Sequence, residues 1–197
     1  VYYTTKTYTG NITAFGRDGN EGGGAGTVYL NASTQVGGDL IIDNNGLSGE
    51  ITNLSTAVYN FDNFTLRGQG KVTIMTGSNI TIPSILSISS ATLTIEENVN
   101  FSKLNKTTLV SSAVLTTRSD FTSNVTNLSS STMTIGNNVS FTVTNLSLIS
   151  STLTLGNNRL YNITNLSLLS SSTINNNGNL TWTYANLSSG TINNRNV

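Results

Sequence analysis

Between Val139 and Leu155 apolar and polar side chains take turns along the chain. Val139, Phe141 and Val143 alternate with Ser140 and Thr142, Leu146 and Leu148 flank Ser147, and Leu153 and Leu155 alternate with Thr152 and Thr154. A period of two sends successive side chains to opposite faces of an extended strand, so each run predicts a strand with one buried face. The runs are separated by "TN", "SS" and "GNN", residues that favour turns and, for Asn, tolerate left-handed backbone angles. No stretch of ten or more residues carries a 3.6-residue apolar stripe with caps, so no helix is predicted.

The strands recur at a fixed distance. Ser pairs stand at 89–90, 111–112, 130–131, 150–151, 171–172 and 188–189, in steps of 22, 19, 20, 21 and 17 residues. A period of 18–22 residues is too short for a helical-hairpin repeat and suits one coil of a β-solenoid. Three short strands per coil describe a three-sided parallel β-helix. A single coil cannot bury its own inward face, so its neighbours must cover it. Gly136-Asn137-Asn138, Gly156-Asn157-Asn158 and Asn175-Asn176-Asn177 recur as a corner, where each amide can bond its own copy above and below. The structural asparagines expected there are Asn137, Asn138, Asn157, Asn158, Asn176 and Asn177.

Residues 1–50 read differently. They are Gly-rich, with short apolar strands at Thr27–Leu30 and Leu40–Ile42, and are expected to be longer-cornered coils of the same solenoid. The chain is thus one unit over 1–197, with Gly-rich N-terminal coils to residue 50 and Ser/Thr/Asn-rich regular coils over 51–197. The run into "GTVYLNAS" and then "GGDLIIDNNG" resembles the repeats of very large secreted surface proteins and adhesins. The later Asn-cornered coils resemble the pectate-lyase-like class of right-handed parallel β-helices. The resemblance implies an architecture and a place at the cell surface; it carries no site residues with it.

Composition sharpens the picture by exclusion. Only 9% of residues are charged, nine basic and nine acidic, giving a formal net charge of zero. There is no Lys/Arg run to neutralise phosphates, so no nucleic-acid partner is expected. Cysteine and histidine are both absent, which removes disulfides, thiolate metal sites and the commonest general base. Apolar stretches span only a few residues, far short of the roughly 20 needed for a bilayer-crossing helix, so membrane insertion is not expected.

Four features remain as candidate chemistry. The glycines of "GGGAG" (Gly22–Gly26) precede a strand and lack the Lys-Ser/Thr of a phosphate loop, so they read as a tight corner. Asp18, Asn20 and Glu21 bring oxygens into calcium reach but lack the ligand ladder of an EF-hand or the nonapeptide of calcium-binding rolls, so no metal or other cofactor is expected. The acids Asp39, Asp43, Glu50, Asp62, Glu96, Glu97 and Asp120 are scattered over different coils. Arg67, Lys71, Arg118 and Arg159 share no evident register with them, and no enzyme activity or catalytic residue is assigned. Outward threonines at Thr92, Thr94, Thr132, Thr134, Thr152 and Thr154 would stack into a flat array resembling the ice-binding faces of some β-solenoids. That array decays to "AVLTT" in one coil and to Thr-Ile-Asn in the last two.

Fifteen Asn-X-Ser/Thr sequons occur, under twofold more than chance for this composition. The recurring "TNLS" and "ANLS" phrases put candidate N-glycosylation sites at Asn53, Asn127, Asn145, Asn165 and Asn186, each with Leu inward and Asn at a bend. Both ends of the chain read as uncapped, which leaves open strand edges. The expectation is a structural, extracellular or cell-surface β-solenoid, a fibre, stalk or adhesin-shaft segment. Its partners would be copies of itself stacked end to end or further repeats of a longer chain. The alternative is a binding module for surface glycans or ice, and a polysaccharide lyase or hydrolase ranks below both.

Overall fold

The computed structural model describes residues 1–5, 10, 12–16, 22–102 and 104–195. Period-2 alternation becomes strands throughout, and no helix occurs among the described residues. Two strands, β1 (Tyr2–Tyr3) and β2 (Thr27–Ala32), precede the coils. Three coils of three strands follow: β3 (Asp39–Asp43), β4 (Ile51–Leu54) and β5 (Val58–Asn60), then β6 (Asn63–Arg67), β7 (Lys71–Ile74) and β8 (Asn79–Thr81), then β9 (Ile85–Ser89), β10 (Thr92–Ile95) and β11 (Asn100–Phe101). The remaining coils hold two strands each: β12 (Leu104–Val110) and β13 (Val114–Thr117), β14 (Phe121–Ser129) and β15 (Thr132–Ile135), β16 (Phe141–Ile149) and β17 (Thr152–Leu155), β18 (Leu160–Leu169) and β19 (Thr173–Asn176), β20 (Asn179–Leu187) and β21 (Thr191–Asn194). The chain is a parallel β-solenoid of about eight turns.

Like strands stack on like. One sheet runs β1-β2-β3-β6-β9-β12-β14-β16-β18-β20, the second runs from β4 through β7, β10, β13, β15, β17 and β19 to β21, and β5, β8 and β11 form a third. In-register partners lie 24 residues apart at the first step (Asp39 opposite Asn63) and 20 apart at later ones (Asn145 opposite Asn165). The inward positions form continuous apolar columns. Leu66, Ile88, Leu109, Leu128, Leu148 and Leu168 make one, and Val72, Leu93, Leu115, Met133, Leu153 and Ile174 another; all are buried. Phe121 and Phe141 stack at 5.9 Å in a third column, with the buried Tyr161 above them.

The "TN" corner is made without breaking the strand. In β16, Phe141 and Val143 point inward, Thr144 and Asn145 both point outward, and Leu146 and Leu148 point inward again. The ladder to β18 skips Thr144, pairing Val143 with Ile163 and then Asn145 with Asn165. Two outward residues in a row shift the pleat by one position, and the wall turns there. This is why the third strand of one coil and the first of the next are fused in the later coils.

The "SS" corner divides its duties. Ser90, Ser130 and Ser150 adopt left-handed angles (φ 49°), which are uncommon for residues with a Cβ. The next residue turns into the core and must be small: Ala91, Ala113, Ser131, Ser151 and Ser172 are all buried. Ser151 Oγ donates to Ile149 O at 2.7 Å and accepts from Ser131 N at 3.2 Å, tying the corner to the coil below. At the Asn corner, Asn98, Asn138 and Asn158 take left-handed angles, and Asn157 N donates to Asn137 Oδ1 at 2.8 Å. The asparagine triplet differs from expectation. Asn175 and Asn176 still belong to β19, and Asn176 lies buried in the inner column opposite Leu155, its amide donating to Gly178 O and to Asn194 Oδ1, both at 2.7 Å. Only Asn177 has left the strand, its backbone and side-chain N–H both donating to Leu155 O.

The expectation of Gly-rich coils over residues 1–50 also changes. Strand β2 runs antiparallel to β3, joined by residues 33–38. A loop that short closes a hairpin, whereas a parallel crossover needs a dozen or more residues. Gly38 makes the turn at φ +69°, with Leu30 O only 2.7 Å from where a Cβ would stand. Residues Gly22–Gly26 do not form a corner; they lie along the free edge of β4. Glu50 N donates to Gly22 O at 3.1 Å and Thr52 Oγ1 donates to Ala25 O. A Cβ on Gly24 would meet Glu50 O and Thr52 Oγ1 at 2.9 Å, so glycine permits this close approach. The N-terminal end of the stack is therefore covered, contrary to the expectation of two bare ends.

Candidate functional site

The outward threonines form two columns on the second sheet. In register, the first reads Lys71, Thr92, Val114, Thr132, Thr152, Thr173, Thr191, and the second reads Thr73, Thr94, Thr116, Thr134, Thr154, Asn175, Asn193. All six threonines named from sequence share this face. Four more join them: Thr73, Thr116, Thr173 and Thr191. In "AVLTT" the outward position is Thr116, while Thr117 points inward and is buried. The array is thus more continuous than phrase matching suggested, and alternation counted from the inward Leu115 would have found Thr116. Neighbours within a column are about 4.8 Å apart and the columns about 7 Å apart, from the inter-strand spacing and twice the rise per residue. Beyond Lys71 no charged residue stands in either column.

The sequon asparagines do not share one place. Asn145 and Asn165 sit at the strand bend, both exposed, with Asn165 Nδ2 donating to Asn145 Oδ1 at 2.7 Å. Asn127 and Asn186 lie two positions further along, in the column of Ser147 and Ser167. Asn53 is on the second sheet, opposite Thr73. The common phrase therefore occupies three structural positions, a correction to the single bend expected, because coils of different length bring it in at different phase. Asn53, Asn145, Asn165 and Asn186 are exposed, and Asn127 is half-buried. A shallow, uncharged groove of about 410 Å³ runs along this bend, lined by Asn127, Asn145, Ser147, Asn165, Ser167 and Tyr184.

The charged residues, expected to share no register, are paired coil to coil. Arg67 stands opposite Asp43 and bonds it at 2.7 Å, and Arg118 bonds Glu96 at 2.5 Å. Asp39 Oδ1 accepts from Asn63 Nδ2, Asp62 accepts from the amides of Gly37 and Gly38, and Asp120 Oδ1 accepts from Ser140 N. Arg159 Nε donates to Asn138 O. The carboxylates of Asp39, Asp43, Asp62, Glu96 and Asp120 thus each hold a neighbouring stretch of chain. Among the described residues no three Asp or Glu side chains converge as metal ligands would. Asp18, Asn20 and Glu21 lie outside the described residues.

Tyr161 is a titratable group set into the inner wall. Its ring fills the column above Phe141 and its hydroxyl donates to Gly156 O at 2.8 Å. Burial raises its pKa above the ordinary value, and nearby Arg159 pulls weakly the other way. The hydroxyl points into the wall, so this shift serves packing.

Sequence reading expected an uncapped last coil but not which of its inward residues stand open. Leu180, Trp182, Leu187 and Ile192 continue the inward columns of Tyr161, Ile163, Leu168 and Ile174, yet Trp182 and Leu187 are 44% and 49% exposed. Their alternation was visible in "NLTWTYANL", but exposure of an inward position depends on what lies above it. No protein family, curated protein or solved structure matches the chain.

Proposed function

We propose that this chain is a structural β-solenoid, a shaft segment of an extracellular or cell-surface fibre or adhesin. The observation that carries this reading is the repetition of inward columns through the coils while, among the described residues, no three acidic side chains converge. Carboxylates and guanidinium groups are spent tying one coil to the next. Such a stack transmits load and spacing along its axis, since each coil contacts only its neighbours and their contributions add. Exposed sequon asparagines on the wall support an extracellular setting, where a glycan at Asn53, Asn145, Asn165 or Asn186 would project clear of the core.

The test is positional. Gold or fluorescent labels placed at the two ends of the chain within its parent polypeptide, on intact cells, should report an axial separation that grows when coils are inserted. Labels that remain inside the cell, or a separation unaffected by added coils, would refute the shaft reading. Glycopeptide mass spectrometry on secreted protein should find occupancy at the four exposed asparagines ahead of Asn127.

A second reading rests on the Thr columns. An uncharged lattice of hydroxyl and methyl groups, with β-branched side chains held in few rotamers, suits a periodic ligand such as an ice surface or a crystalline glycan. Thr134→Lys, at mid-face, should abolish ice shaping or glycan retention if the face binds. An unchanged wild-type-like blank in both assays disposes of this reading.

A further inference from the structure

The two ends of the stack are chemically unlike. At the first coil, the inward residues Leu40, Ile42 and Leu54 are buried, because β2 pairs antiparallel with β3 and the Gly22–Gly26 segment lies against β4. At the last coil, the large inward residues of β20 lack such cover. Ile163 and Leu168 are 2% and 0% exposed, whereas Trp182 and Leu187, one coil on, are 44% and 49% exposed. The nine residues of β20 and the four of β21 are bonded to β18 and β19 on one side and present an unpaired edge on the other.

From this contrast we infer that the β20–β21 edge is an acceptor for one further solenoid coil, laid parallel and in register, and that growth of the stack is one-ended. The inference rests on the shaft reading and names the partner of the shaft's open end. The occupant is a coil of the alternating kind this chain repeats. It is not the N-terminal face of a second copy, because β2 and the Gly22–Gly26 segment already lie against β3 and β4 there. Three features state what the incoming coil must carry. Large apolar residues are needed above Leu180, Trp182, Leu187 and Ile192 to complete the columns. Asn side chains are favoured above Asn193 and Asn194, which already bond Asn175 and Asn176 at 2.9 and 2.7 Å in the coil below. A small residue is favoured after the corner, above Gly190, because Ala91, Ala113, Ser131, Ser151 and Ser172 are the buried small residues at that place in the earlier coils. Main-chain pairing supplies affinity and the alternate side chains supply specificity, as in other strand additions to an open edge.

Trp182 is the only tryptophan of the chain and sits on this face, so its fluorescence reads the edge directly. The full chain is compared with the same chain extended after Val197 by a copy of residues 160–176. The extension should shift Trp182 emission to the blue and reduce its acrylamide quenching severalfold. A second extension, with Asn at the copied positions of Leu166, Leu168 and Ile174, should leave Trp182 as open as in the parent. Unchanged quenching with the apolar extension, in a chain whose circular dichroism shows added β-structure, overturns the inference. Shielding of Trp182 in the unextended chain that rises with concentration, with dimers in sedimentation, also overturns it by making the occupant a second copy. Failure of the shaft reading shows separately in the cell-surface labelling, which is independent of Trp182.

Discussion

The coils of β16–β19 and of β12–β14 use the same register but differ in what they bury. In the former, Leu146, Leu148, Leu153, Leu155, Tyr161 and Leu168 fill the interior. In the latter, hydroxyls share the interior with Leu104, Leu109, Leu115, Phe121 and Leu128: Thr107, Thr117, Ser119, Ser123 and Thr126 are all buried. One column reads Leu86, Thr107, Thr126, Leu146 across four successive coils. Most of the inward hydroxyls are satisfied by nearby backbone. Thr117 Oγ1 donates to Ser119 O and accepts from Ser119 N, Ser119 Oγ donates to Glu96 O and accepts from Val99 N, and Ser123 Oγ donates to Val125 O. Thr126 Oγ1 has no partner. A solenoid layer thus tolerates polar filling when short side chains return their donors to their own strand, and loses stability where one does not.

Four substitutions probe this difference, from the largest expected effect to the smallest. Leu148→Ala removes most of a fully buried side chain from an apolar layer and should cost about 2–5 kcal/mol by urea denaturation. Hydrogen exchange should place the loosening in β14–β18, because each coil couples only to its neighbours. A cost spread evenly over all coils would contradict that picture. Thr126→Val keeps the shape and deletes the unpartnered hydroxyl, so the hydroxyl layer should gain about 1–3 kcal/mol. A loss on this substitution would mean that the hydroxyl is bonded after all.

Tyr161→Phe tests a hydroxyl that does have a partner, and should cost about 1 kcal/mol for the bond to Gly156 O. It also carries a pH signature. The folded pKa of Tyr161 is raised, so the folded state favours the protonated phenol. Its contribution is fully present below the unfolded tyrosine value of about 10 and is lost as pH climbs from there through the raised folded value. The phenylalanine variant should show a shallower alkaline loss of stability, so that its deficit of about 1 kcal/mol near neutrality shrinks as pH rises. Ser150→Gly concerns the corner between layers, where φ is 49°. Relief of the left-handed strain, about 1–2 kcal/mol, is partly offset by the added chain entropy of glycine, about 0.5–1 kcal/mol, leaving a net gain of about 0–1.5 kcal/mol in melting experiments.

How far each feature could be read from sequence follows from its range. The inward roles of Leu146, Leu148, Leu153 and Leu155 and the outward roles of Thr152 and Thr154 were legible, because alternation is a property of one strand. The Ser corner was legible as a corner, though not its split into a left-handed serine and a buried small one. The bend at Asn145 and Asn165 was legible, but identical phrases at Asn127, Asn186 and Asn53 lie elsewhere. Phrase identity carries no register: in-register steps run from 24 residues between β3 and β6 down to 18 between β13 and β15, and each change moves a phrase to a new column. Asn176 illustrates the limit. It looks like its corner neighbours, yet one strand's phase places it inside the core, where Asn194 bonds it.

By itself, then, the sequence determined that this chain is a stack of parallel coils with an apolar interior and an uncharged wall. Period-2 alternation and short turn formers permit little else at this repeat length. Only the tertiary structure decided which residues share a column, that Arg67 meets Asp43 and Arg118 meets Glu96, and that one end is closed by a hairpin and a glycine run. Those outcomes depend on pairing between residues some 20 positions apart and on what covers the first and last layers, and the identity of a residue specifies neither.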